Sequence, residues 1–508
     1  MKILSLLIAL PLAGALATGL IRNVRFAKKL ALGVACFELF AALVAVQRFN
    51  ADEGAFQMVE KAAWIPSLNV EYLVGVDGIS VLFLPMTALL TLMAIGASWH
   101  STQQLSRLHF ALILVLEGVT IGVLSALDMV LFFLFWELTL PPLFFLIGLW
   151  GIGPKRRNAA IKYTLFMLFG GVPLLMAIII LAINHATQIN ATIPHGLAFN
   201  FPVLLETRLP DNLQSVVFLL LLAGFAVKAP IVPLHTWLPT ATLEGPTQIT
   251  ALLIGLKLGV YGILRFAMPL APSAAVEYNW VLGILGAITL IYGALIALRQ
   301  TNLRRLLAYA SVSHVGLVII GIASLNMQGI QGAIFQLLNF TLVAGSLMLV
   351  AGFIQQRLGS TEMSHLGGLA SVMPRLTGCY FVFALASMGM PGTNGFPAEL
   401  LLVLGALLAH PSLGVTALAG AVLSAAYMLS FTRGAFLGKV RQADAGQMQD
   451  LLARELALLC VPALLVLGFG FFPNSVLKIN QKTAEAWLSR LLDQPVLEGD
   501  ELVMNLSR

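Results

Sequence analysis

The sequence predicts an all-α integral membrane protein with about fourteen transmembrane helices, two of them broken. Of its 508 residues, 59% are hydrophobic and only 10% are charged, whereas a soluble globular domain carries about 25% charged residues. Apolar runs of about 20 residues recur from one end of the chain to the other, and each is long enough to cross a hydrocarbon core about 30 Å thick. The chain is therefore interpreted as one membrane domain.

Glycines, prolines and clusters of charge separate the predicted spans. The spans are 3–21, 28–48, 77–98, 109–126, 129–150, 160–183, 213–229, 246–268, 279–299, 304–323, 329–354, 377–409, 412–435 and 453–472. The first resembles a signal peptide, since Lys2 precedes an apolar run and Ala15-Leu16-Ala17 resembles a cleavage site. An uncleaved anchor is favoured, because it keeps all the basic loops on one side of the membrane.

Positive charge predicts the orientation in the membrane. Clusters of Lys and Arg fall in alternate loops, at 22–29, 155–157, 299–305, 357–375 and 433–454. Loops of this kind are cytoplasmic. We therefore expect a multi-pass membrane protein with both termini on the outer, periplasm-like side. The net charge of +6 is spread over these loops instead of forming one basic face, which argues against nucleic-acid binding.

No motif predicts a cofactor in this chain. The three cysteines, Cys36, Cys379 and Cys460, stand singly in apolar segments, with no CxxC pair and no His at ligand spacing. The stretch 434–440 resembles a phosphate-binding loop but is one residue short and lacks Ser or Thr after Lys439. We expect neither an iron–sulfur nor a zinc centre, and no metal or redox cofactor.

Two proline-rich stretches interrupt apolar spans. They are 228–233, in the seventh span, and 389–397, in the twelfth. Proline breaks the helical hydrogen-bond ladder, and broken helices at membrane depth must be buried in protein or line a hydrated cavity. Two ordinary helices joined by a proline-rich connector remain the alternative at each position.

The spacing of the breaks, about 165 residues, suggests two five-helix repeats, spans 4–8 and 9–13, the second inverted. The corresponding divisions are 1–108 for the first three spans, 109–268 and 279–438 for the repeats, and 439–508 for the last span and a C-terminal helix. That helix is predicted to be amphipathic, lying on the membrane surface or docking on a neighbour. Its apolar positions are Ala484, Trp487, Leu488, Leu491 and Leu492.

Three glutamates lie where charge is costly. Glu137 is nine residues beyond Asp128 and fourteen before Gly151, and Glu399 follows the second break. Glu117 lies in the middle of the fourth span. Carboxylates at this depth are rare and face a bundle interior, where they are paired or hydrated. A proton-carrying role is favoured for Glu137 and Glu399, and Glu117 is a secondary candidate; a structural, hydrogen-bonded glutamate remains the alternative.

Two lysines and a histidine complete the set of buried titratable groups. Lys228 begins the first break, and Lys257 lies twelve residues from both Gly245 and Pro269, at the midpoint of its predicted span. Burial favours the neutral form of a lysine and a nearby carboxylate favours the charged form, so such a lysine can exchange protons when its partner moves. His314 can both donate and accept. Snorkelling, a static ion pair and a structural histidine are the respective alternatives.

A proton route through these groups needs water, because hydrogen bonds span only about 2.7–3.2 Å between heavy atoms. Side chains that could support a water wire are Thr139, Thr250, Ser311, Ser313, Gln336, Asn339 and Thr341. Hydroxyls in membrane helices also bond their own backbone, which is the alternative for each of them.

Together these segments resemble a known family, the antiporter-like membrane subunits of respiratory complex I, the NADH:quinone oxidoreductase, and most of all its M-type chain. The likeness covers nearly the whole sequence. The segments that carry it are 127–137 (LDMVLFFLFWE), 225–239 (FAVKAPIVPLHTWLP), 245–247 (GPT), 261–265 (YGILR), 306–316 (LLAYASVSHVG) and 390–392 (MPG).

The resemblance implies a role for each titratable group. Glu137 and Lys228 would form the coupled pair of the half-channel through which protons enter. Lys257 would be the central relay with His314 beside it, and Glu399 the exit residue. His235, within the second segment, is a further candidate. The chain itself would hold no redox centre; its partners would be the other membrane-arm subunits, the lipid bilayer and protons.

The sequence departs from the family pattern at three places. Where the family has a histidine nine residues after a glutamine such as Gln331, this chain has Phe340, with the secondary candidate Asn339 beside it. Residues 240–242 are Thr-Ala-Thr instead of Asp-Ala-His. The segment between Thr247 and Lys257 is two residues shorter, and two residues rotate a helical side chain by about 200°.

The expected function is therefore proton translocation as a subunit of a complex I type translocase. Two alternatives remain at this point. One keeps the fold but places the chain in a membrane hydrogenase, a multisubunit cation/proton antiporter or an inorganic-carbon uptake complex. The other is a structural paralogue that does not pump, an alternative that Phe340 favours. Sequence alone fixes neither the ion, Na⁺ or H⁺, nor the stoichiometry or direction of transport.

Overall fold

The computed structural model describes residues 2–102, 104–440 and 449–492. Helices dominate these ranges. The helices of the first half are α1 (Ile3–Leu20), α2 (Val24–Arg48), α3 (Phe83–Ser98), α4 (Ser106–Ser125), α5 (Met129–Leu138), α6 (Leu140–Trp150), α7 (Arg156–Gln188), α8 (Phe201–Glu206), α9 (Asp211–Lys228), α10 (Trp237–Glu244), α11 (Thr247–Gly255) and α12 (Leu258–Gly262).

The second half continues in the same way. Its helices are α13 (Met268–Leu270), α14 (Pro272–Glu277), α15 (Asn279–Leu298), α16 (Leu303–Ala323), α17 (Met327–Asn339), α18 (Gly345–Leu358), α19 (Leu369–Val372), α20 (Pro374–Ser387), α21 (Gly395–Ala409), α22 (Pro411–Ala435), α23 (Ala453–Phe471) and α24 (Asn474–Leu492). Two π-helical turns, Ile263–Ala267 and Phe340–Ala344, follow α12 and α17.

The membrane architecture predicted from the sequence is confirmed. Within the described ranges, twelve helical segments are long and apolar enough to cross a membrane, and α3 and α21 are shorter apolar helices. Large apolar side chains such as Phe169, Val422 and Leu464 are exposed on the outer helix faces, while the buried titratable groups lie inside, as a lipid surrounding requires. The exact number of spans and the repeat division remain predictions.

A β-hairpin departs from the all-α prediction. Strands β1 (Gln57–Ile65) and β2 (Val70–Val76) pair antiparallel between the second and third spans. The hairpin holds the first span in place, because the Glu60 carboxylate accepts hydrogen bonds from the Leu4 amide at 2.8 Å and the Ser5 amide at 3.0 Å. These amides belong to the first turn of α1, whose N–H groups have no partner within the helix.

The amphipathic C-terminal helix is found as α24, and it packs on its own chain. The hydroxyl of Thr483 accepts a hydrogen bond from the Gly78 amide at 3.0 Å, and the Trp487 indole donates to the Leu264 carbonyl at 2.8 Å. Trp487 and Leu491 are buried, whereas Leu492 is exposed. The apolar face that the sequence identified therefore covers the ends of the spans instead of facing open lipid.

The first predicted break is present between α9 and α10. The chain leaves the helix after Lys228 and re-enters it at Trp237. The Val232 amide donates to the Thr289 hydroxyl of α15 at 3.2 Å, and the Trp237 indole donates to the Val227 carbonyl at 2.9 Å. Neighbouring protein therefore supplies partners that the interrupted helix lacks.

The second predicted break is present between α20 and α21, over residues 388–394. The Asn394 amide donates to the Val466 carbonyl of α23 at 2.9 Å, and the Asn394 carbonyl accepts from the Asn339 side chain at 3.2 Å. Both contacts come from other spans. The end of the break is therefore buried against other spans, whereas Met390 and Pro391 are exposed.

Two further interruptions were not predicted. Thr139 separates α5 from α6, and Leu256 and Lys257 separate α11 from α12. The predicted span 246–268 is found as Thr247–Leu270, but its helix is interrupted at the middle: Lys257 lies in a break, with extended backbone at Leu256. Neither break contains a proline, so the sequence rules gave no signal for the second of them.

A buried ion pair joins the hairpin to the broken spans. The Arg265 guanidinium bonds the Asp77 carboxylate just after β2, and its central carbon lies 4.6 Å from the ring centre of Phe56 and 5.5 Å from that of Phe201. Both charged side chains are buried, at 4% and 2% relative exposure. Each charge therefore depends on the other for compensation.

Replacing Asp77 by Asn is expected to destabilise the fold by about 3–5 kcal/mol, because the Arg265 charge would be left buried and unpaired. The thermal unfolding midpoint in detergent should fall clearly. The matched control is Lys61→Gln, which breaks the pair of Lys61 and Glu71 at 2.9 Å, whose lysine side chain is 56% exposed; surface pairs contribute little. Equal shifts in the two variants would contradict this assignment.

Candidate functional site

Glu137 lies at the end of α5, where two prolines disturb the helix. Pro141 and Pro142 lack N–H groups, so they cannot bond the carbonyls of the last α5 turn. In that turn, the Trp136 carbonyl accepts from the Thr139 hydroxyl at 2.8 Å. The Glu137 side chain is half-buried, and its Oε1 atom is buried without a hydrogen-bond partner.

A glycine on the neighbouring helix makes room for this carboxylate. A Cβ atom placed on Gly171 of α7 would meet Oε1 of Glu137 well inside contact distance. Because the clash would be with the end of a flexible side chain, an alanine here would displace the carboxylate and leave the helices in place. Gly171 thus determines where the Glu137 charge lies.

Lys228, at the end of α9, reaches across to the interruption beside Glu137. Its ammonium donates to the Trp136 carbonyl at 3.2 Å and to the Thr139 hydroxyl at 2.9 Å, and it lies 3.9 Å from the Trp136 ring centre. The carboxylate of Glu137 is not among its hydrogen-bond partners. The two residues are therefore neighbours that interact electrostatically without a direct bond.

The Lys228 ammonium borders a cavity of about 30 Å³. A space of this size holds at least one water molecule, since about 10–15 Å³ is sufficient for one. Its lining includes the hydroxyl-bearing side chains of Thr120, Thr139 and Tyr163 among leucines. The Thr120 hydroxyl is buried and has no hydrogen-bond partner among the described residues, so it is available to hydrogen-bond a water there.

Lys257 lies in the break between α11 and α12 and is 7% exposed. The Gly255 carbonyl, freed by the break, accepts from the Thr341 hydroxyl at 3.1 Å. The adjoining cavity measures about 10 Å³ and is otherwise lined mostly by apolar side chains, the lower limit for one water. No described residue forms a hydrogen bond or ion pair with the Lys257 ammonium, which therefore lies in a nearly dry environment.

Phe340 lies between Lys257 and His314. The centre of its ring is 5.1 Å from the Lys257 ammonium and 6.3 Å from the centre of the His314 ring. Phe340 begins the π-helical turn that interrupts α17 and α18. A π-helical turn inside an α-helix often marks a functional position. The predicted departure from the family pattern is therefore located in the middle of the candidate route.

His314 and Glu399 lie in direct contact. The His314 Nε2 atom is 3.5 Å from Oε1 of Glu399, close enough for an ion pair but not aligned as a hydrogen bond. The other ring nitrogen, Nδ1, lies 3.0 Å from the Ala310 carbonyl. Glu399 occupies space left by Gly389, a residue with φ of +66° in the second break. Any larger residue at Gly389 would be strained and would push the carboxylate away.

The secondary candidates lie in different parts of the bundle. Asn339 joins the π-helical turn to the second break, since its amide bonds Gln336 at 2.8 Å as well as the Asn394 carbonyl. His235 is buried next to Tyr292, with 5.0 Å between ring centres. Glu117 lies on α4, away from the breaks, and both of its oxygens are buried without a partner.

The structure thus brings the predicted residues together in groups. One contains Glu137 and Lys228, another contains His314 and Glu399, and Lys257 lies between them against Phe340. Sequence reasoning missed three residues: Gly171, Tyr163 and Glu38. Glu38 is a further buried glutamate, on α2. Glu38 could have been found, because it lies ten residues from either end of the predicted span 28–48. Gly171 and Tyr163 could not, since their proximity to the site is a matter of packing.

Comparison with protein families gives a match over more than half of the chain. The family described as NADH:quinone oxidoreductase/Mrp antiporter, TM, matches residues 126–424. NADH-quinone oxidoreductase subunit M of Rhodobacter capsulatus is 36% identical over 488 residues, covering 94% of this chain and 94% of its own length. F(420)H(2) dehydrogenase subunit M of Methanosarcina mazei is 35% identical over 492 residues, covering 96% and 98%.

A solved structure has the same architecture. A chain of respiratory complex I from Thermus thermophilus with bound NADH superimposes with a TM-score of 0.87 at 29% sequence identity. The superposition covers 97% of this chain and 100% of the other. The likeness extends well beyond the motif segments to the N-terminal spans and α24.

Replacing Thr341 by Val is expected to destabilise the protein by about 1–3 kcal/mol, because the Gly255 carbonyl at the Lys257 break would lose its donor at membrane depth. The measurement is the thermal unfolding midpoint in detergent. Thr416→Val is the matched control, since that exposed hydroxyl bonds only the Ser412 carbonyl of its own helix at 2.8 Å. A Thr341→Val midpoint equal to that of the control would show that the break is stabilised in another way.

Proposed function

Because the chain belongs to the NADH:quinone oxidoreductase/Mrp antiporter transmembrane family, we propose that it carries protons across the membrane as the M-type subunit of a complex I type NADH:quinone oxidoreductase. One observation carries the proposal. Buried titratable groups follow one another across the bundle, each lying at a helix interruption or against one, and water-sized cavities adjoin both lysines.

In the proposed mechanism, electron transfer takes place in other subunits and changes the charge near Glu137. An ionised Glu137 favours the ammonium form of Lys228, and its neutralisation or displacement favours proton release. The released proton passes through the hydrated cavity toward Lys257. From there it reaches His314, which shares it with Glu399 for exit. The chain's own task is to hold and pass protons, and the proposal assigns it no redox cofactor.

The step from Lys257 to His314 requires rearrangement. Phe340 separates the two groups, and the cavity at Lys257 is at the limit for one water. Transfer therefore needs the Phe340 ring to move or additional water to enter. A closed route at rest also prevents a proton leak, which any pump requires.

The positions of the two pairs support the proposed inverted repeats. In the proposed repeats, Glu137 and His314 occupy the second spans, and Lys228 and Glu399 lie beside the breaks of the fourth spans. Each half thus pairs a carboxyl group with a basic group across equivalent spans, in opposite order. This correspondence supports the proposed division into 109–268 and 279–438.

The proposed setting is the inner membrane of a bacterium. Alternation of basic loops supports the placement of both termini on the periplasmic side. The proposed partners are the other membrane-arm subunits, the surrounding lipid and protons. Nucleic acid has no part in the proposal.

A second candidate function rests on Phe340. A chain that holds a membrane arm together without pumping would tolerate an apolar ring in the middle of the route and a lysine such as Lys257, which has no hydrogen-bond or ion-pair partner among the described residues. A role in an assembly with a different electron donor, as in the F(420)H(2) dehydrogenase relative, would leave the pumping chemistry unchanged.

Replacing Glu137 by Gln, or Lys228 by Met, is expected to lower proton pumping by about tenfold or more, since losing about 1.4 kcal/mol from the rate-limiting transfer corresponds to a factor of ten. Proton uptake and NADH oxidation should be measured together in membrane vesicles carrying the native assembly. NADH is the donor that the proposal names.

The matched controls are Glu485→Gln and Lys482→Met, which change the same residue types on the exposed face of α24. Both should pump like the unaltered protein. Unchanged pumping in Glu137→Gln and Lys228→Met would favour the non-pumping candidate and end the proposed mechanism.

Replacing Phe340 by His is expected to maintain or increase pumping, because an imidazole between Lys257 and His314 adds a group that both donates and accepts protons. Phe340→Leu, which keeps the gap apolar, serves as the control. If Phe340→His abolished pumping while Phe340→Leu did not, the ring position would be structural and not part of the route.

A further inference from the structure

Two glutamates outside the route described above are fully buried. Glu38 of α2 and Glu117 of α4 are 0% and 1% exposed. All four of their carboxyl oxygens are buried without a hydrogen-bond partner. Glu38 is close enough for its charge to act on Glu117. Glu38 lies before the first proposed repeat, and Glu117 lies in the first span of that repeat.

Both carboxyl groups are far from water. Glu38 is ten residues from the nearer end of α2, and Glu117 is eight residues from the nearer end of α4. At 1.5 Å per residue, these distances are about 12–15 Å, beyond the reach of a glutamate side chain. The group that stabilises each acid must therefore come from within the bundle.

Close packing of three helices fixes the position of the pair. A Cβ atom on Gly118 would lie 2.9 Å from the Ile8 carbonyl, so α4 touches the backbone of α1 directly beside Glu117. A Cβ atom on Gly14 would lie 2.8 Å from the Val34 side chain, so α1 and α2 also pack closely. Pro11 lies in the same part of α1 and cannot donate to the Leu7 carbonyl. Among the described residues, no cationic side chain is bonded to either acid.

A second observation connects the pair to the route. The Thr120 hydroxyl lies one helical turn beyond Glu117, is 1% exposed and has no partner. Thr120 and Leu116 line the cavity that the Lys228 ammonium borders. Helix α4 therefore presents a hydroxyl to the water-sized space at Lys228, one turn from the Glu117 acid.

The charge state follows from the surroundings. Two carboxylates without a counter-charge cannot both be ionised in an apolar interior. With two protons the pair is neutral. When one proton leaves, one carboxyl group becomes ionised, and its charge favours the neutral form of the other. The pair can therefore alternate between two protons and one without placing two like charges side by side.

We propose that Glu38 and Glu117 form a proton-storing site that supplies the Lys228 cavity through Thr120. This inference rests on the proposed function, because it deepens the uptake half of the same route. One proton passes from the pair, by way of the Thr120 hydroxyl and water, to the neutral amine of Lys228. The resulting single negative charge on the pair then attracts the next proton.

The test uses the native assembly in membrane vesicles with the variants Glu117→Gln, Glu38→Gln and Thr120→Val. Each is expected to lower proton uptake per NADH oxidised by about tenfold, which corresponds to about 1.4 kcal/mol in the rate-limiting transfer. Infrared difference spectra during turnover should show a carboxylic-acid band that shifts in D₂O and is absent from Glu117→Gln.

Thr18→Val is the matched control. Thr18 on α1 is also fully buried with an unpartnered hydroxyl, but it does not line the Lys228 cavity. It should pump normally. Normal pumping and an unchanged infrared band in Glu117→Gln and Glu38→Gln would overturn the inference, and so would a dependence of the band on Na⁺ instead of protons.

The outcome is distinguishable from failure of the proposed function. If Glu137→Gln stops pumping while both glutamine variants of the pair pump normally, only the storage site is wrong. If Glu137→Gln also pumps normally, the proposed route itself fails. Thermal unfolding midpoints of all variants separate these outcomes from misfolding.

Discussion

One constraint governs this structure: a polar group at membrane depth must find its partner within the protein. Each helix break satisfies it with a contact from another span. The Thr289 hydroxyl bonds the first break, the Val466 carbonyl and the Asn339 side chain bond the second, and Thr341 bonds the carbonyl freed at Lys257. The interruptions therefore stay ordered. They are tolerated in the bundle because the helices pack closely around each one.

The same interruptions hold the charged groups. Lys228 is stabilised by a carbonyl and a hydroxyl at the interruption between α5 and α6, not by the Glu137 carboxylate. This arrangement keeps Glu137 free to change its charge without losing a structural bond. Gly171 and Gly389 give space to Glu137 and Glu399. The Glu137 and Glu399 carboxyl groups can therefore change position or protonation without breaking a hydrogen bond of the helices.

The space available for water differs between the two lysines. The Lys228 cavity of about 30 Å³ contrasts with about 10 Å³ at Lys257, where Phe340 fills the space. In the proposed route, additional water would have to reach Lys257 to solvate a proton there, and the arrangement would correspond to a closed route with Phe340 between Lys257 and His314. The overall architecture is shared with a chain of respiratory complex I, on which this chain superimposes over 97% of its length.

Hydropathy and residue types alone determined much of this protein, because apolar length and charge placement are local properties. They gave the spans, to within a few residues in most cases, the two proline-rich breaks, the amphipathic face of α24 and the deep positions of Glu137, Lys228, His314 and Glu399. The family likeness of the motif segments is also confirmed by the comparisons.

Only tertiary structure decided what these groups touch. The break at Lys257 has no proline to announce it, the β-hairpin replaces an expected loop, and the contact of His314 with Glu399 joins helices far apart in sequence. Phe340 was visible as a departure, but its place between two titratable groups follows from the packing of α11, α16 and α17, and packing between distant segments is not written in any local pattern.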